Sequence, residues 1–72
     1  MVSVQIRLKN QAVVNVENLT TVKVFHSISN VQNFDEPHFQ EVPMIDRPYV
    51  FTSPKESVSV HGNEIQYLVF NN

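Results

Sequence analysis

The chain reads as an all-β fold, a small single-domain antiparallel barrel or roll of about five or six strands with one long proline-rich loop. Three observations predict it. Apolar and polar residues alternate with period two over much of the chain, which puts successive side chains on opposite faces of a strand. Val, Ile, Thr, Phe and Tyr, which suit a pleated and half-buried surface, dominate these runs. Three of the four prolines fall in one stretch, residues 29–48, between the alternating runs.

The first strand covers residues 2–9, where Val2, Val4, Ile6 and Leu8 alternate with Ser3, Gln5, Arg7 and Lys9. The second covers residues 12–17 and forms an antiparallel hairpin with the first, turning near Asn10. Asn10-Gln11 is a poor two-residue turn because Gln resists positive φ, which leaves room for a longer or bulged loop. Asn18 breaks the second strand. A third run covers residues 21–28, with Val22, Val24 and His26 on one face and Lys23, Phe25 and Ser27 on the other. Phe25 on an otherwise polar face suggests that something covers this face too.

Residues 29–48 lose the alternation. Proline lacks the ladder donor and restrains the residue before it, so neither a central strand nor a long helix fits. The segment still carries Val31, Phe34, Phe39, Val42, Met44 and Ile45, more apolar surface than a solvated linker needs. The expectation is an ordered loop lying across the sheet, with room for one short strand near residues 40–44.

Strand patterning returns over residues 49–53 and 57–61, separated by a turn at Pro54-Lys55-Glu56. The only glycine, Gly62, precedes Asn63 between residues 57–61 and the last strand, residues 65–70. This pair predicts a tight hairpin with Gly62 at positive φ. The last strand is apolar on both faces, which predicts a place inside the sheet or cover on both sides.

Composition narrows the function classes. At 72 residues the chain makes one domain. A chain of this size buries only about 60% of its unfolded surface. Apolar residues at 42% against charged residues at 17% mark a folding chain rather than a disordered one. The absence of cysteine removes disulfides, thiolate metal sites and cysteine nucleophiles, and favours a reducing cytoplasm. The first ten residues alternate and resemble neither a signal peptide nor a membrane span. Asn18-Leu19-Thr20 matches the glycosylation triplet, which carries weight only in a secreted chain. A formal charge of −2 gives no global attraction to nucleic acid or acidic membranes.

Enzymatic chemistry finds little to stand on. His26, His38 and His61 are more than ten residues apart, without the close-spaced pair usual in zinc sites, so no metal and no cofactor is expected. No serine sits in a nucleophile elbow, and one glycine cannot build a phosphate-cradling loop. Asp35-Glu36 are adjacent and point apart in extended chain, which suits solvation better than acid–base pairing.

Two binding classes remain. Arg7, Lys9 and Lys23 project from polar strand faces, and on neighbouring strands they would form a small cationic patch beside Phe25, suited to single-stranded nucleic acid. Cations on a solvated face also serve solubility and edge protection. The stretch VSVHGNEIQYLVF, residues 58–70, resembles the second motif of Sm-like RNA-binding barrels, with His61 at the basic position, Gly62 at the glycine and Asn63 at the acid or amide. NFDEPHF, residues 33–39, resembles the Phe-Asp turn of the first motif, although Phe39 stands where that family has its base-contacting asparagine. The family's N-terminal helix and early glycine are absent. The resemblance, over about a quarter of the chain, implies RNA or single-stranded DNA binding by a small β-barrel. The leading expectation is instead a non-enzymatic interaction module, for a protein partner or self-association. Its candidate surface is Phe34, Phe39, Met44 and Tyr49, the alternative being that these residues cap the open face of the sheet. Aromatic residues and methionine are enriched at interface cores.

Overall fold

The computed structural model describes residues 1–72 and is all-β, with seven strands in two antiparallel sheets. Strands β1 (Ser3–Leu8), β2 (Val13–Val16) and β7 (Ile65–Asn71) form one sheet in the order β2-β1-β7. Strands β3 (Thr21–Ser27), β4 (Asn30–Asp35), β5 (Pro48–Thr52) and β6 (Ser57–His61) form the other in the order β4-β3-β5-β6. The sheets pack on a common core in which Val4, Ile6 and Val16 from the first meet Val22, Val24, Tyr49 and Phe51 from the second. The ladders leave β2, β7, β4 and β6 as edges, so the sheets do not close into a barrel. No helix is long and apolar enough to cross a membrane.

The β1–β2 hairpin forms as its alternation predicts. Its loop spans residues 9–11: the Gln11 N–H donates to the Leu8 carbonyl (3.0 Å) and the Leu8 N–H to the Ala12 carbonyl (2.9 Å). Gln11 takes φ 74° at the position where glycine is usual, and the Asn10 Oδ1 accepts from the Ala12 N–H at 2.9 Å. Asn18, at φ 56°, turns the chain from β2 toward the second sheet.

Three expectations are corrected. First, residues 29–48 are not one loop, because β4 occupies Asn30–Asp35 and pairs with β3. Its polar composition reflects an edge position in which only Phe34 is buried. The two-residue connection Ile28-Ser29 contains no positive φ, so it is not the primed turn that a hairpin prefers. A bulge at His26, where the register shifts between Phe25 and Ser27, takes up the twist. Beyond β4 the chain does lie over the core as a loop, but residues 40–44 form no strand; a 3-10 turn covers Phe39–Glu41.

Second, β6 and β7 are not a hairpin. They belong to different sheets, joined by a 3-10 turn at Gly62–Glu64, and no glycine has positive φ. Third, β7 is an edge strand rather than an interior one. Leu8 pairs with Ile65 but Arg7 pairs with Tyr67, so Gln66 is the extra residue of a bulge. The bulge changes which positions face inward: Ile65 before it, then Leu68 and Phe70, pack on the core. The bulge thus accounts for Ile65 sharing the inward side with Leu68 and Phe70, while Tyr67 and Val69 face outward opposite Arg7 and Gln5. The turn at residues 53–56 forms as expected, with Ser53 Oγ within 3.2 Å of both the Glu56 carbonyl and its N–H.

Candidate functional site

Of the four candidate interaction residues, three belong to the core. Phe34 projects inward beside Val22 on β3 and is 6% exposed; the carboxylates that follow it do not draw it outward, because Asp35 points the other way. Phe39 is buried and stacks on Phe70, with ring centroids 5.6 Å apart and planes 8° from parallel. Tyr49 is fully buried, whereas Met44 is half exposed at 50%. A groove of about 470 Å³ lies over the Phe39–Phe70 stack. It is edged by Glu36, Gln40 and Asn72 and lined by no serine, histidine or cation.

Tyr49 secures the proline-rich loop. Its hydroxyl donates to the Pro43 carbonyl and accepts from the Ile45 N–H at 2.9 Å. The loop then passes against Gly62, whose N–H donates to the Arg47 carbonyl at 2.8 Å. A Cβ on Gly62 would stand 2.0 Å from the Ile45 carbonyl oxygen and 2.8 Å from the Tyr49 ring. The glycine is needed for close approach rather than for φ. Beside it, the His61 Nδ1 lies 3.2 Å from Asp46 Oδ1 and 3.4 Å from the Asn63 N–H. Nδ1 accepts from Asn63 when it carries no hydrogen and donates to Asp46 when it does.

The cationic candidates do not share a face. Arg7 points outward from the β2-β1-β7 sheet, and Lys23 and Phe25 point outward from the other sheet, on the far side of the core. Lys9 lies in the loop after β1, its N–H donating to the Glu64 carbonyl at 2.9 Å. His61 is engaged at the end of β6, and Phe39, at the position resembling the base-contacting one, is buried. Tyr67, absent from the sequence-based candidates, lies under the Arg7 guanidinium at 5.7 Å and is 44% exposed. The Arg7 Nε also donates to Gln5 Oε1 at 2.8 Å. The three histidines are paired separately, His26 with Gln32, His38 with Glu41 and His61 with Asp46.

Two of the six exposed large hydrophobic residues, Ile28 and Val31, lie on the β3–β4 hairpin; the others are Met1, Val13, Met44 and Tyr67. Ile28 at the hairpin tip is fully exposed, Val31 is 37% exposed, and Val31 lies directly across from the half-buried Phe25. From Asn30 to Phe34 the edge strand carries no charge and no proline, and the hairpin's bulge is on β3. These are the usual devices that blunt an edge, and the outer side of β4 lacks them. Elsewhere β2 is short at four residues and β7 is bulged. β6 is also uncharged apart from His61, but its outward positions are Ser57 and Ser59, and Val58 and Val60 face the core. Val31 counts among the apolar residues of segment 29–48 and Ile28 ends the third run, but neither is a candidate site residue in the sequence, because no glycine or Asn-Gly marks the turn between them. Comparison with protein-family models, curated proteins and solved structures found no match.

Proposed function

We propose that this chain is a small non-enzymatic interaction module that binds an extended partner segment by strand addition along β4, in the cytoplasm. The observation that carries this reading is an unbulged edge, uncharged from Asn30 to Phe34, whose outward face holds exposed Val31 beside Phe25. Strand addition draws affinity from main-chain hydrogen bonds and specificity from alternate side chains. Here Val31 and Phe25 favour an apolar residue at one outward position of the incoming strand, and Ile28 adds apolar surface at the tip. An RNA- or single-stranded-DNA-binding reading has Arg7 and Tyr67 as its support, but it lacks the combined patch, because Lys23 lies on the other sheet.

Selection from a random library of displayed peptides tests the reading. Selected sequences should alternate apolar and polar residues, and Val31→Lys should weaken their binding at least about tenfold, or 1.4 kcal/mol. Tyr67→Lys, on the opposite sheet, should leave binding unchanged. Binding that survives Val31→Lys and fails in Tyr67→Lys would place the working surface on the wrong sheet for this proposal.

A further inference from the structure

Residues directly opposite in an antiparallel pair share a face. If β4 pairs with β4 of a second copy about a two-fold axis, this rule restricts the register. Centring between Gln32 and Asn33 would oppose an inward residue to an outward one, so the axis must pass through Gln32 or through Asn33. Centring on Asn33 would set Val31 against the Asp35 carboxylate of the other copy. Centring on Gln32 sets Val31 against Asn33, Asn30 against Phe34 and Gln32 against itself, with no charge in the overlap.

The side chains fit the second register. Gln32 Oε1 lies 3.0 Å from the His26 Nε2, and its amide nitrogen is left to donate across the axis to the other Gln32 carbonyl, which has a second lone pair. On the outward face the two Val31 side chains become diagonal neighbours across the axis, each directly opposite the other copy's Asn33. Each is backed by its own Phe25. Ile28 is carried past the partner's Asp35 to the level of Glu36 and Pro37.

We infer that the segment β4 accepts is β4 of a second copy, paired antiparallel about a two-fold axis through Gln32 to give one continuous sheet across the dimer. This deepens, and rests on, the strand-addition reading. An edge-to-edge ladder of this length is smaller than a standard interface, so the dimer is weak, with a dissociation constant on the order of 100 μM.

Sedimentation velocity of the full chain from about 10 μM to about 1 mM brackets that value. The wild type should shift from monomer to dimer across the range. Gln32→Lys and Gln32→Glu, both at an exposed edge position, should each stay monomeric, and their equimolar mixture should recover the dimer. In this cysteine-free chain, Gln32→Cys should form a covalent dimer under mild oxidation much faster than Ser59→Cys on the β6 edge. A wild type that stays monomeric throughout overturns the inference, as does a mixture that stays monomeric or a Ser59→Cys that cross-links as fast as Gln32→Cys. A monomeric wild type whose peptide binding is still lost in Val31→Lys would sink self-pairing alone. Peptide binding that survives Val31→Lys would sink strand addition itself.

Discussion

Gly62 shows how far a local pattern reaches at the scale of single residues. Its place between two alternating runs marks the end of one strand and the start of another, and both are there. The reason for glycine lies elsewhere: the carbonyl of Ile45, in a loop that Tyr49 holds by its hydroxyl, occupies the space a Cβ would need. A contact with a segment upstream leaves no trace in the spacing of neighbours. Gln11 makes the complementary point, since it accepts a positive φ that its residue type resists, with Asn10 supporting the turn. Gly62→Ala should therefore destabilise by about 1–3 kcal/mol through overpacking. Tyr49→Phe, which leaves the Ile45 N–H without its partner, should cost about 1–3 kcal/mol. Urea denaturation of both variants, read as a lower midpoint at unchanged slope, checks this.

At the scale of elements, period-two alternation located every strand that has one face on the core and lost the strand that does not. β4 is exposed at every position but Phe34, so its sequence carries little hydrophobic pattern and reads as loop. Residue 34 nevertheless anchors the hairpin, and Phe34→Ala should cost about 3–5 kcal/mol, as truncation of a buried aromatic does. Met44→Ala, at a half-exposed loop position, should stay within about 0.5 kcal/mol. Thermal melts of the two variants distinguish a loop tied down by core aromatics from one held by its whole apolar content. The bulge at Gln66 was hidden for a related reason, since alternation at both parities signals double-sided cover as readily as a change of face.

At the scale of the molecule, the all-β class was legible and the arrangement of sheets was not. Alternation says that a residue faces in or out, but not which sheet its strand joins. β1 and β3 could have been neighbours, and on that assumption Arg7, Lys9 and Lys23 made a patch. The observed strand orders separate them and leave β4 as an open edge that carries exposed Val31, with Ile28 at the hairpin tip. Amide hydrogen exchange resolved by residue, on the free protein and with a bound extended peptide, tests that claim most directly. The account predicts that slowed exchange appears within residues 30–35, at alternate amides whose N–H groups point away from β3, while the amides of β2, β6 and β7 are unchanged. Protection gained along β2, β6 or β7, with β4 unaltered, would contradict it.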